Sequence, residues 1–340
     1  MKPIITCFVA AFLVSGCNTD SIKPSSGSTA PPDESKSVRM TSQSTASSLR
    51  ACDNYATQVS RAKQSKDLVK LSQLLKTLKR KSDCSQTYLK TLERELSEIA
   101  TQKASVLVKR GDVKQAKKWL EYQYTPVSLW STQALRGDIA AKGKQWKTAA
   151  GFYNQALDLM DSPTATPTKP SPAEIKKVHS LATETQLLAG ELIAINGRSG
   201  ESSGAMRKKI RGVEIRERPI PVQFVFGKTA LTEKGKDSAE KLLVFFQKQN
   251  PTRITLIGHS DRIGSDATNC ILSRGRALAL KDYLVEQGCI ETDIITMGKG
   301  KRQPLELYDP SLYTQDEVDQ MNRRVEFAID RDVSHINQCL

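Results

Sequence analysis

Asp261 and Arg276 are the two residues of this chain whose types and spacing most invite a chemical reading. They lie in the stretch GHSDRIGSDATNCILSRGR, residues 258–276. The aspartate follows RITLIGH, an apolar run suited to a buried strand, and a glycine-containing turn then leads into a helical pattern that carries the arginine. Opposite charges held apart by such a turn suit a ligand that itself carries both charges. The aspartate accepts ammonium protons, and the arginine grips a carboxylate through two parallel N–H donors, a geometry that lysine does not reproduce. Asn269 lies seven residues before Arg276, so two helical turns stack the pair on nearly the same face, and its amide hydrogen-bonds in either sense. A helix beginning near Asn269 would also aim its free N–H groups at the same anion. Ser260 and Gly258 shape the turn.

Other chemistries find little support. Three histidines, no CxxC and no ligand-like spacing speak against a metal centre, and no carboxylate pair or activated nucleophile marks an enzyme. No cofactor is expected. His259 reads as a packed sheet residue and Asp266 as a helix cap. The GxG at Gly298 and Gly300 lacks the third glycine of a nucleotide fingerprint.

The elements that must position these residues alternate from Val213 onward. VQFVF (222–226), RITLIGH (253–259), IITMGKG (294–300) and Arg324 to Ile329 read as strands. Thr232 reads as an N-cap before a stripe of Ala239, Leu242, Leu243 and Phe246, and Ser273, Ala277, Leu280 and Leu284 share one face of the next helix. This grammar predicts a two-layer α/β sandwich with a mixed four-stranded sheet.

Five segments in order, VQFVFGKTALTEKG, GHSDRIGSDATN, LSRGRALALKDYL, MGKGKRQP and NRRVEFAI, resemble the OmpA-like C-terminal domain, the peptidoglycan-associating module of envelope proteins. The resemblance implies that residues 213–333 bind the diaminopimelate of the peptidoglycan stem peptide, with Asp261 on its ammonium, Arg276 on its carboxylate and either Arg323 or Arg324, at the start of the last strand, as a further contact. Ser260, Thr268 and Gly275 depart from the family's usual threonine, tyrosine and bulky or basic residue.

Residues 51–196 have helical composition. Leu68, Leu71, Leu75 and Leu78 form an amphipathic stripe. RGDVKQAKKWLEYQ and KGKQWKTAAGFYNQALDLM resemble each other with Ala116 and Ala149 33 positions apart, close to the tetratricopeptide period. A TPR-like helical domain is therefore expected, giving an overall α plus α/β class, with a plain helical bundle as the alternative. Helix is also expected from Ala173 to Ile195. Residues 197–212, with Arg207, Lys208, Lys209 and Arg211, read as a basic linker.

The first 16 residues carry Lys2, an apolar run from Ile4 to Val14 and LVSG before Cys17, which reads as a lipoprotein signal with Cys17 as the acylated residue. That run is too short to span a bilayer, which needs ~20 apolar residues. Residues 17–50 read as a flexible tether with a reach of roughly 30 Å. Asn18, rather than Asp, after the cysteine implies outer-membrane sorting by resemblance to bacterial lipoproteins. An exported chain with 38 % hydrophobic residues and a formal charge of +14 is expected to face anionic envelope polymers rather than nucleic acid. Among the remaining cysteines, Cys52 and Cys84 bracket two helical patterns and are placed to clasp them. Cys270 and Cys289 sit at opposite ends of one helix, leaving Cys339 to take one of them. The expected function is a lipid-anchored outer-membrane tether facing the periplasm and bound to diaminopimelate-type peptidoglycan. The alternative is a wall-anchored scaffold of a secretion, adhesion or motility machine whose helical domain holds a protein partner.

Overall fold

The computed structural model describes residues 42–193, 203–215, 218–225, 227–288, 293–330 and 339. The expected signal, Cys17, most of the tether and Cys289 lie outside them. The last part of the tether does not: α1 (Ser42–Gln64) begins inside it. No helix among the described residues is long and apolar enough to cross a membrane.

Three helical hairpins follow one another: α1 with α2 (Leu68–Lys79), α3 (Gln86–Lys109) with α4 (Val113–Trp119), and α5 (Trp130–Lys142) with α6 (Trp146–Asp161). All three turn the same corner. Lys66, Gly111 and Lys144 take left-handed φ values of 52°, 85° and 55°. The next residue then donates its N–H five residues back, Asp67 to Ala62, Asp112 to Leu107 and Gln145 to Ala140, at 3.0, 2.9 and 2.9 Å. Such a bond satisfies an orphaned helix-terminal carbonyl while reversing the chain. Leu71, Ala116 and Ala149 occupy the equivalent place five residues past each left-handed residue, and all are 0 % exposed. In the third hairpin Tyr153 lies against Gly137, where a Cβ would stand 2.6 Å from the ring, so α5 and α6 pack closely. Cys52 and Cys84 form a disulfide with Cα atoms 5.6 Å apart, tying α1 to the α2–α3 connection. Closing a loop of 32 residues contributes about 3–4 kcal/mol by restricting the unfolded chain.

The fourth helical element, α7 (Pro172–Ala189), opens with a capping box of Ser171 and Glu174 and closes on left-handed Gly190, short of the expected Ile195. The basic stretch read as a linker is folded against this layer. A 3-10 turn at Gly204–Met206 and the two-residue strands β1 (Lys209–Ile210) and β2 (Val213–Glu214) form a strap. Ala205 N–H donates to Asn154 at 2.8 Å, and Arg207 pairs with Asp158 and Asp161. Ala205 and Ile210 belong to the helical core while Met206 enters the core of the sheet.

The sheet runs in the order β3 (Arg218–Ile220), β6 (Val325–Ile329), β4 (Arg253–Gly258), β5 (Asp293–Gly298). β4 and β5 are parallel, joined over α9 (Asp266–Glu286), and β6 runs antiparallel to both its neighbours. The first strand is earlier than its composition suggests. Residues 222–225 are irregular, apart from a bridge between Phe224 and Leu231. The ladder instead uses Arg218 to Ile220, where Pro219 is tolerated because the strand lies at an edge. One face of the sheet, with Ile254, Leu256, Val325 and Phe327, packs on α9 and on α8 (Glu233–Gln249), which Thr232 caps as expected. At Gly258 a Cβ would meet the carbonyl of Ser273 at 1.9 Å, so only glycine lets α9 cross the end of β4. Cys270 on α9 is bonded to Cys339.

The chain from Ala46 onward forms one compact unit, so α7 packs directly on the sheet domain. Its contacts are with β3 and with α10 (Gln315–Asn322), a helix capped by Thr314 and Glu317. Leu187 and Leu188 meet Met321, and Glu184 accepts hydrogen bonds from Tyr308 N–H and Tyr313 Oη–H, each at 2.7 Å.

His179 of α7 reports on this packing. Its Nε2 lies 3.3 Å from the Ala205 carbonyl of the strap. Burial, with the Arg218 charge acting the same way, pushes its imidazole down to about 4 against the opposing pull of that carbonyl. Between about pH 6.5 and pH 4 the unfolded chain therefore binds a proton that the folded chain refuses, and stability falls as the pH drops through that window. His179→Gln, which keeps a donor for Ala205, is expected to flatten the pH dependence of the denaturation midpoint between pH 6.5 and 4. An unchanged slope would show that His179 is not the group responsible.

Candidate ligand-binding hollow

A hollow of about 290 Å³ opens between α7, α10 and the 221–224 segment, lined by Leu187, Pro221, Val222, Gln223, Phe224, Arg276, Gln320 and Arg323. It sits at the small end of the ~300–1,000 Å³ usual for small-ligand sites. Arg276 is held there by α9, whose inner face, Ser273, Ala277 and Leu280, is fully buried against the sheet. The side chain is 1 % exposed. Its Nε donates to the Lys228 carbonyl at 3.3 Å, and its guanidinium carbon stands 5.4 Å from the centre of the Phe224 ring. Its Nη1 has no hydrogen-bond partner. Burial lowers this guanidinium to about 10, with the neighbouring Arg323 charge pushing the same way and Asp261 opposing it, so it remains charged at neutral pH. A buried cation one donor short is chemically a seat for an anion.

Asp261 does not line the hollow and is linked to it only through its ion pair with Arg323. Its Oδ2 accepts from Arg323 Nη1 at 2.8 Å, and its Oδ1 accepts from the Ile263 N–H at 3.1 Å. A carboxylate offers about four acceptor positions, so these two bonds leave capacity for an ammonium. Asp261, Arg323 and Arg276 therefore form one charged group, with one negative and two positive charges.

The two adjacent arginines part company. Arg323, the residue after α10, turns toward Asp261 and the hollow. Arg324 is 3 % exposed and is spent on Glu326, 2.7 Å away, and on Asn322 Oδ1 at 3.2 Å. It lines a second hollow, of about 310 Å³, with His179, Glu184 and Pro219. Burial works to raise the Glu326 carboxyl, but His259 and Arg324 outweigh it and hold it down to about 2. His259 itself is 1 % exposed, 3.5 Å from Glu326, and burial lowers its imidazole.

Asn269 does not line the hollow. Its Nδ2 donates to the Ile263 carbonyl at 2.9 Å and so braces the turn that carries Asp261. Ser265, not Asp266, caps α9, accepting the Thr268 N–H at 3.1 Å, so the helix starts three residues before Asn269 and its first N–H groups are not aimed from that residue. Asp266 pairs instead with Lys301 and Arg302. Ser260 is 4 % exposed and fixed by its N–H on the Gly300 carbonyl, while its hydroxyl has no partner. Gly275 has its own explanation, since a Cβ there would stand 2.7 Å from the Thr229 methyl, in the loop that gives Arg276 its carbonyl.

Leu187, Gln320, Phe224 and the Lys228 carbonyl were not evident from the sequence. α10 was detectable, because Thr314 and Glu317 spell a capping box. Leu187 carries no such signal; only folding brings it to Arg276. Among the described residues no group of three or more His, Cys, Asp and Glu side chains is placed to hold a metal ion.

The different duties of the arginines are separable by measurement. Arg324→Ala leaves Glu326 buried without its cation and is expected to destabilise the chain by about 3–5 kcal/mol. Arg323→Ala removes a partly exposed ion pair and is expected to cost no more than about 1 kcal/mol. Equal losses in chemical denaturation would contradict the assignment.

Residues 223–312 match the model of the OmpA family. Outer membrane protein A of Shimwellia blattae is 35 % identical over 86 residues, which are 25 % of this chain and 36 % of that protein. Outer membrane protein P5 of Haemophilus influenzae is 32 % identical over 84 residues, 25 % of this chain and 24 % of the other. The chain thus spans roughly a quarter to a third of the length of these relatives. Among solved structures, the OmpA-like domain of FopA1 from Francisella tularensis is 25 % identical, covering 34 % of this chain and 75 % of that one with a TM-score of 0.28. The peptidoglycan-associated lipoprotein from Burkholderia pseudomallei is 19 % identical, covering 34 % and 91 % with a TM-score of 0.27. The segment 223–312 of this chain is thus the part that the OmpA family model and the curated relatives match.

Proposed function

We propose that this protein is a lipid-anchored outer-membrane tether that holds peptidoglycan non-covalently through the diaminopimelate of the stem peptide. The observation that carries the reading is Arg276, almost wholly buried yet one donor short on the edge of a small hollow. Diaminopimelate ends in a carbon bearing an ammonium and a carboxylate. The carboxylate would complete Arg276 and share Arg323, while the ammonium takes the remaining acceptor positions of Asp261. Ser260 and Asn269 act by holding the turn, and Arg324 by fixing the last strand. The binding needs no catalytic residue, and the reading assigns none. Curated relatives of the matched segment are named as outer membrane proteins, which supports placing the site in the periplasm. Cys17 as the acylated residue, with a short tether behind it, supplies the membrane end.

A single stem peptide makes few contacts, so each grip is modest; a membrane-held protein facing a repeating polymer gains through effective concentration. The helical layer favours a second, compatible role as a tetratricopeptide-like scaffold for an envelope assembly. Its three hairpins share one corner, and Val106 and Tyr122 stand 47 % and 77 % exposed on its surface.

Co-sedimentation with purified sacculi tests the tether. Asp261→Ala and Arg276→Ala are each expected to weaken binding at least tenfold, because each leaves a partner charge uncompensated. Walls built with diaminopimelate are expected to retain the native protein and walls built with lysine, which lacks the second carboxylate, to release it. Equal retention on both walls refutes the zwitterion reading.

A further inference from the structure

We infer that the helical layer is itself part of the ligand site: Leu187 of α7 supplies the apolar wall against which the aliphatic stem of the bound residue lies. This inference rests on the diaminopimelate reading above and says which part of the chain completes the site. The charged side of the hollow comes from the sheet domain, through Arg276 and Arg323. The opposite wall comes from a residue 89 positions before Arg276, on a helix outside the OmpA-family segment. A ligand whose two charges sit at the end of a chain of methylenes needs both surfaces, one for the head and one for the stem. Leu187, Pro221 and Val222 form the apolar one.

The wall is fixed rather than incidental. Leu187 is the third residue from the end of α7, just before the chain turns at Gly190. A Cβ at Gly190 would stand 2.0 Å from the Gln223 amide, so the helix end presses against the same segment that lines the hollow. Gln320, which also lines it, donates to the Leu188 carbonyl at 3.2 Å, and Lys144 pairs with Glu317 at 2.7 Å. α10 therefore joins α7 to Arg323, whose N–H donates to the Asp319 and Gln320 carbonyls. These contacts connect the apolar wall to the outer guanidinium.

The test uses the full chain, purified diaminopimelate-type sacculi and free diaminopimelate as probes. Removing most of an apolar contact with the stem is expected to make Leu187→Ala bind about five- to tenfold more weakly. Leu187→Met, which keeps the volume, is expected to restore binding to within twofold. Leu188→Ala is the control, since Leu188 is buried against Met321 but does not line the hollow. It is expected to lower the unfolding midpoint while leaving binding within twofold. Thermal denaturation of each variant confirms that binding is read on folded protein. Unchanged binding by Leu187→Ala overturns the inference, as does an equal loss from Leu188→Ala. If instead Arg276→Ala binds like the native chain, it is the underlying diaminopimelate reading that fails.

Discussion

A guanidinium almost cut off from water must be paid for in contacts, and the arrangement around Arg276 follows from that requirement. Burial disfavours its charge, yet among the described residues no carboxylate pairs with it: Asp261 pairs with Arg323, and the Lys228 carbonyl meets a single N–H. The aromatic face of Phe224 adds a weaker compensation. A structural arginine in the same domain is treated quite differently. Arg324 has Glu326, Asn322 and the Gln303 carbonyl around it, and only in such company is a buried cation fully satisfied. Arg324 is thus saturated, whereas Arg276 keeps an unpartnered Nη1, as the buried Arg218 keeps an unpartnered Nε.

Around this charge the fold assembles its supports in layers. The close crossing of α9 at Gly258 sets the position of Arg276. Asn269 and Ile263 brace the turn that carries Asp261. α10 positions Arg323 and simultaneously meets the helical layer through Met321 and Gln320. Glu184 then fastens that layer to the sheet domain through Tyr308 and Tyr313, and burial raises its carboxyl although both hydrogen bonds work to lower it.

Much of this was legible beforehand because it is local. Alternation and helical stripes located β4, β5, β6, α8 and α9, and Thr232 announced its cap. The charged pair could be picked out because Asp261 and Arg276 belong to one strand–turn–helix. What escaped was either non-local or masked by composition. The aromatic and β-branched residues 222–225 look more like a strand than Arg218 to Ile220, yet pairing with β6 selected the proline-containing segment. The start of α9 was misplaced because Ser265, rather than a later residue, takes the capping role. The first helical corner uses Lys66 where glycine would have advertised it. Leu187 is remote in sequence from everything it lines, and no periodicity encodes such a meeting.

The neighbouring positions of Arg323 and Arg324 have a consequence for how this domain can vary. Arg323 is the C-cap of α10 and Arg324 the last residue before β6, so the helix end directs one guanidinium to the hollow and the entry to the strand directs the next to the interior. Inserting or deleting a single residue between α10 and β6 would displace both guanidinium groups from these destinations. The stretch Asn322–Arg323–Arg324 is thus a counting device: substitutions there alter one task at a time, whereas a change in length scrambles both together.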